Sequence, residues 1–248
     1  MLIARIGGTK GIGRAIVKSF LDEGAIVHFC SRTEADVKAT NERLASSYSG
    51  KAFGSSVDVS NAQSVDNWVK SCASQSGQID VVVANVSALA IDDKTESWHR
   101  AFQTDMLGTQ VLANATLPYL KKTKGNIISI SSVSGRQIDF SAATSPYGPM
   151  KAALIHYMSQ VAHKYAPQGV RANSVSPGNI YIEDGVWGDI ERNMPDLFKQ
   201  EHAKNPLGRM GKAEEVADLV VFVASPRAGF VTGSNLLVDG AVSTGVQF

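Results

Sequence analysis

Short apolar runs alternate with amphipathic stretches along nearly the whole chain, and that alternation limits the folds open to it. Strands are expected over 2–6, 25–30, 52–59, 81–83, 126–130, 170–175 and 235–238. Helical periodicity covers 13–23, 34–48, 62–74, 96–120, 145–165 and 213–224. The long helix over 96–120 is expected to stop near Pro118, and Pro149 falls in a first turn, where a missing N–H costs little. Val81, Val82 and Val83 form a β-branched run that suits a strand buried on both faces. Strands and helices in alternation build a parallel sheet with helices on both faces. The expected fold class is therefore α/β: one doubly wound domain with about seven parallel strands.

A length of 248 residues, 44% hydrophobic and 19% charged, supports one such domain with a large core. A net charge of +1 makes no electrostatic case for nucleic acid or an acidic partner. No window approaches the ~18 to 20 apolar residues of a membrane span, and no secretory leader is apparent. A cytoplasmic location is expected. Cys30 and Cys72 offer no disulfide framework, and no metal site is expected from the scattered histidines.

A glycine-rich turn, Gly7-Gly8-Thr9-Lys10-Gly11-Ile12-Gly13, follows the first strand and opens the first helix. Glycines there let the backbone approach a pyrophosphate, which meets the positive end of the helix dipole. A P-loop is excluded, because Gly-Lys-Ser/Thr does not occur. A site for NAD wants a carboxylate about 20 residues past the glycines. Ser31 and Arg32 stand there instead. A guanidinium pairs with a 2′-phosphate, and a hydroxyl can bond it. Lys10 adds a second cation, so NADP(H) is the expected cofactor. Arg32 is also compatible with a plain surface residue.

Tyr147-Gly-Pro-Met-Lys151 sets a phenol and an ammonium one helical turn apart. A nearby cation favours the phenolate, so the pair suits general acid/base work on a carbonyl or alcohol. The same spacing also describes a solvated helix face.

In these ordered motifs the chain resembles the short-chain dehydrogenase/reductase family over nearly its whole length. The glycine pattern is matched by Gly7, Gly11 and Gly13. Asp58-Val59 is similar to the family's adenine-contacting pair, and Ser132, in Ser-Ser-Val-Ser-Gly, to its catalytic serine. Tyr147 and Lys151 match Tyr-x-x-x-Lys, and Asn173 to Gly178 resembles the run beside the nicotinamide. The tail carries further matches at Gly208-Arg-Met-Gly, Glu214-Glu-Val, Thr232-Gly and Val238-Asp-Gly. The resemblance implies a Rossmann-type domain over 1–248. Dinucleotide binding would fall mainly in 1–95, catalysis in 96–180 and a substrate lid in 181–209. It implies cofactor contacts from Gly7, Thr9, Lys10, Gly11, Ile12, Gly13, Ser31, Arg32, Asp58, Val59, Asn85, Ser87, Tyr147, Lys151, Pro177, Gly178 and Ile180. Hydride would pass from NADPH to a carbonyl carbon while Tyr147 protonates the oxygen. Lys151 would lower the Tyr147 pKa and hold the nicotinamide ribose, and Ser132 would polarise the carbonyl.

Four positions depart from the family pattern. Ile6 replaces a threonine whose hydroxyl tethers the neighbouring strand. Ala84-Asn85-Val86-Ser87 replaces Asn-Asn-Ala-Gly, so Ser87 stands where glycine lies close to the cofactor. Ile182 replaces a threonine. Asp105 occupies the place of the family's fourth catalytic residue, an asparagine that holds a relay water. At ~4 Å and an effective dielectric of ~20, a full charge pair is worth ~4 kcal/mol. Asp105 would hold Lys151 protonated and oppose a phenolate at Tyr147. A solvated Asp105 outside the relay is the other reading.

The segment holding Arg136, Asp139 and Phe140 is expected to form one pocket wall. The stretch 178–209 reads as a long irregular insert. Trp187, Met194 and Phe198 suggest a lid over a partly apolar pocket, and a mobile surface excursion is the other reading. The expected substrate is a small carbonyl or alcohol, with a 3-oxoacyl thioester or a ring ketone as cases. A redox-silent dinucleotide binder of the same fold is the alternative. A homo-oligomer, tetramer or dimer, is implied by resemblance. Ala152, Ala153, Ile155, Met158 and Val161 offer contact residues that could equally face the core.

Overall fold

The computed structural model describes residues 2–138 and 144–245, with backbone alone for 2–6. Asp139, Phe140 and the Ile6 side chain lie outside the described residues. Seven parallel strands form one sheet: β1 (Leu2–Ile6), β2 (Ile26–Ser31), β3 (Ala52–Ser56), β4 (Val81–Ala84), β5 (Asn126–Ile130), β6 (Arg171–Pro177) and β7 (Asn235–Val238). Their order is β3-β2-β1-β4-β5-β6-β7. The chain reverses its direction of growth between β1 and β4, which pair from Ile3↔Val81 to Ile6↔Ala84. Ligands of doubly wound sheets bind at such a switch point, beyond the strand C-termini.

Successive strand residues feed opposite cores, as a two-residue period requires. On one face Val82, Ile127 and Ala172 pack with Trp68 and Cys72 of α3 (Ala62–Ser76), Leu112 and Leu120 of α5 (Gly108–Thr123), and Met158 of α6 (Tyr147–Tyr165). On the other, Val81, Val83, Ile128 and Val175 pack with Ile16 and Phe20 of α1 (Gly11–Asp22) and Val216 and Val220 of α9 (Ala213–Ala224). Met158 and Val161 therefore belong to the core, not to an outer contact face. Cys30 and Cys72 are buried free thiols, and burial pushes Cys72 up to about 12. Among the described residues no helix is long and apolar enough to cross a membrane.

Two expectations need correction. The long helix does not stop near Pro118. It opens as α4 (Thr95–Ala101), passes through a π-helical turn, Phe102–Leu107, and continues as α5 to Thr123. Pro118 and Asn114, one turn before it, are both exposed, so the carbonyl deprived of its N–H partner can face water. The insert is not irregular either. It folds into α7 (Val186–Asn193) and α8 (Pro195–Ala203), with Pro195 at the first helical position, where it is favoured.

Candidate active site

The glycine turn is shaped by contacts that only hydrogen at Cα permits. Gly7 has φ +79° and Gly11 φ +53°, a region costly for other residues. A Cβ on Gly13 would stand 1.9 Å from the Gly7 carbonyl oxygen. Asn85, just past β4, donates to that same oxygen over 3.1 Å, so the two strand ends at the switch point are bonded together. No side chain caps the first turn of α1. The loop therefore presents backbone and a helix N-terminus, which fits a pyrophosphate. Thr9 is buried, and Ile12 packs on the core beneath the loop.

Ser31 ends β2 half-buried, and Arg32 after it is exposed. Lys10 reaches across from the glycine turn to Asp36, 3.0 Å away in the first turn of α2 (Glu34–Ala45). Lys10 and Arg32 thus both lie around the end of β2. Asp58 accepts the Ser60 N–H and hydroxyl at 2.9 and 2.8 Å. Those bonds, then the charge of Arg32, hold its carboxyl below the usual aspartate range. The Val59 side chain lies in the core.

Beyond β5, Ser132 begins a 3₁₀ turn, Val133–Gly135, and its hydroxyl accepts the Ser134 N–H at 3.2 Å. That turn lies directly on the start of α6. A Cβ on Gly148 would be 2.8 Å from the Ser134 carbonyl oxygen, and one on Gly135 would be 2.9 Å from the Ala152 nitrogen. The neighbouring Ser131 hydroxyl donates to the Lys151 carbonyl at 2.8 Å. Ser132, Tyr147 and Lys151 are thereby held on adjoining turns. Lys151 Nζ lies 5.5 Å from the Tyr147 ring centroid and reaches the Ile130 carbonyl at 3.5 Å.

Asp105 is not a solvated helix residue. It sits in the π-helical turn, a form often found at functional sites. Its Oδ2 lies 3.3 Å from Lys151 Nζ, with side chains only 2% and 3% exposed. Two further donors reach the carboxylate, the Ser87 hydroxyl at 3.0 Å and the Ala88 N–H at 2.6 Å. The Asp105 carbonyl accepts the Thr109 hydroxyl at 2.7 Å.

Across the cleft, Pro177 ends β6, and the Gly178 N–H donates to the Val238 carbonyl at 3.0 Å. A Cβ on Gly178 would meet the Asp239 backbone at 2.8 Å. The Ile180 side chain packs in the core beside Gly211. Ile182 is the isoleucine that faces the glycine turn: its Cδ1 lies 3.0 Å from where a Gly11 Cβ would be.

A cavity of about 420 Å³ opens beside Tyr147, lined by Trp98, Arg136, Gln137, Ile138 and Ala152 among others. Arg136 thus takes its expected place in a wall. Among the described residues Trp187, Met194 and Phe198 do not line this cavity. Phe198 instead packs edge-on against Tyr181 at 6.0 Å. A larger cavity, about 880 Å³, lies against Gly11 between α1, α2, the 181–184 segment and the start of α9. It contains none of Ser132, Tyr147 or Lys151 and is not the reaction site.

Comparison with known proteins agrees with this geometry. The family model described as enoyl-(acyl carrier protein) reductase matches residues 7–243. The chain is 38% identical to isoepoxydon dehydrogenase of Aspergillus clavatus over 245 residues, covering 98% of this chain and 94% of that protein. It is 35% identical to L-fucose dehydrogenase of Mus musculus over 247 residues, covering 96% and 87%. An NADPH-bound short chain oxidoreductase of Pseudomonas aeruginosa PAO1 that contains an atypical catalytic center superimposes with a TM-score of 0.91 at 27% identity, covering 99% and 97%. The matches span the glycine turn, the switch point and the Tyr-Lys helix alike, and the relatives are oxidoreductases of alcohols and carbonyls. The chain belongs to the short-chain dehydrogenase/reductase family.

Proposed function

We propose that this protein is an NADP(H)-dependent oxidoreductase that interconverts a ketone and a secondary alcohol on a small molecule. The observation that carries this reading is the packing of the Ser132 turn against the Tyr147 and Lys151 turn at the mouth of a glycine-lined switch point. When bound, the dinucleotide supplies or takes up hydride. The glycine turn and the first turn of α1 hold its pyrophosphate, and Asp58 its adenine side. Ser31 and Arg32 favour the 2′-phosphate of NADP(H), since they and not a carboxylate occupy the two positions at the end of β2, and Lys10 adds to them on leaving its Asp36 partner. In reduction Tyr147 gives a proton to the carbonyl oxygen, while Ser132 donates a hydrogen bond to that oxygen. The ammonium of Lys151 stabilises the charge that develops on the phenol oxygen, and Asp105 keeps that ammonium in place. These are positioning and charge effects.

Relatives named for isoepoxydon, L-fucose and meso-2,3-butanediol support a compact oxygenated substrate. The family model's description points to an acyl thioester instead. Both kinds of match span nearly the whole chain, so the test includes both substrate classes. In this reading the segment 181–209, with α7 and α8, is the substrate lid.

The test is a panel of small ketones, sugars and acyl thioesters, followed at the NADPH absorbance band. Oxidation of NADPH with a small ketone or sugar supports the reading. A protein that melts at a higher temperature with NADPH, yet oxidises none across the panel, would be a redox-silent binder.

A further inference from the structure

Two of the residues that set this chain apart from the family pattern, Ser87 and Asp105, are bonded to each other. They are 18 residues apart, one just past β4 and one in the π-helical turn. The Asp105 carboxylate receives three donors at once: the Ala88 N–H on Oδ1, and the Ser87 hydroxyl and the Lys151 ammonium on Oδ2. An asparagine would fit this nest poorly. With its carbonyl towards Ala88, its NH₂ would face the ammonium, donor against donor. With its carbonyl towards Lys151, the Ala88 N–H would meet the NH₂. The site as built selects a carboxylate.

Such a buried ion pair is held only if the remaining lone pairs are satisfied, because desolvation otherwise exceeds the attraction. Lys151 takes one lone pair of Oδ2, and the Ser87 hydroxyl takes another. Glycine at 87 could not. We propose that Ser87 is a positioning residue of the reaction centre. Through Asp105 it sets how much of the Lys151 charge reaches Tyr147. This inference rests on the acid/base reading of Tyr147 given above. Among the described residues, the titratable groups set around the carboxylate are Lys151 and, beyond it, Tyr147, both on α6. The loop after β4 brings the hydroxyl and the amide, β5 brings the Ile130 carbonyl, and α5 brings the Thr109 hydroxyl to the backbone. Glu96, His99 and Arg100 of α4 are exposed. Removing the hydroxyl leaves the negative charge on Oδ2 less offset, so a Tyr147 anion is disfavoured.

A tyrosinate absorbance titration tests this without any substrate. Subtracting the titration of Tyr147→Phe isolates Tyr147. In Ser87→Ala the midpoint should move to higher pH, by about half to one unit, as loss of a hydrogen bond to a charged group implies. Ser87→Thr, which keeps the hydroxyl, should titrate as the unaltered protein does. In an Asp105→Asn background, Ser87→Ala should move the midpoint by less than about 0.2 unit, because the carboxylate it acts through is gone. The Ser87 hydroxyl also accepts the Leu89 N–H at 3.1 Å, so it could merely shape its own loop. An unmoved midpoint in Ser87→Ala, or equal movement in both backgrounds, would assign it that role and overturn the proposal. Failure of the carbonyl panel would sink the acid/base reading separately, while the titration alone decides the coupling.

Discussion

At the scale of single residues, the account stands on where a side chain is forbidden and where a charge is absent. Gly13→Ala places a methyl against the Gly7 carbonyl oxygen, at 1.9 Å before any relaxation. Overpacking typically costs ~1–3 kcal/mol, and here the loop itself must yield. Thermal denaturation should show a lowered melting temperature, and fluorescence titration a loss of NADPH affinity. Unaltered binding would mean that the turn is not the phosphate cradle. The end of β2 makes a separate prediction. Ser31→Asp with Arg32→Ala replaces a cation by an anion, so kcat/KM should come to favour NADH over NADPH. A double variant that still prefers NADPH would contradict the cofactor assignment. Much of the site was legible at this scale, because Tyr147 and Lys151, or Gly7 and Gly13, lie within one local motif whose chemistry depends on spacing alone. The bond from Ser87 to Asp105 was not legible: no local period relates a loop to a distant helical turn.

At the scale of elements, a strand such as β4 was placed well because β-branched burial fixes it, whereas β3, half-exposed and without a β-branched residue, ends at Ser56 rather than at the expected Val59, and interior irregularities were not placed. The expected stop at Pro118 relied on a lost hydrogen bond that water can replace on an exposed face. The π-helical turn was not separated from the long helix, because a single phase step inside one continuous amphipathic stretch is not marked by any breaker residue. One element carries a pH prediction. Glu215, in the first turn of α9, accepts two Arg209 nitrogens at 2.8 and 2.6 Å and the Lys212 N–H at 2.8 Å. These bonds, Arg209 foremost, bring its carboxyl to about 2, below the ordinary glutamate value of 4.5. A depressed carboxylate contributes stability that is full above the ordinary value and is lost as pH falls towards the folded one. Glu215→Gln should therefore lower the melting temperature at neutral pH and flatten its decline between about pH 4.5 and 2. Parallel melting curves for the two proteins across that range would show that the clamp does not stabilise the fold.

At the scale of the whole molecule, the alternation of segments implied the doubly wound sheet, and its strand order places the glycine turn and Asn85 at one crevice. Assembly follows from resemblance alone. Sedimentation equilibrium should give a mass two or four times 26.4 kDa. A single protomer mass would contradict a dimer or tetramer. Function converges on one crevice, where a phenol, an ion-paired amine and a serine meet a cradle for a dinucleotide. Single-turnover kinetics of Tyr147→Phe, with NADPH binding measured on the same sample, test that convergence most directly. The account predicts that the rate falls ~10²- to 10⁴-fold, the usual worth of general acid catalysis, while NADPH still binds. A phenylalanine variant that turns over at the rate of the unaltered protein would contradict it.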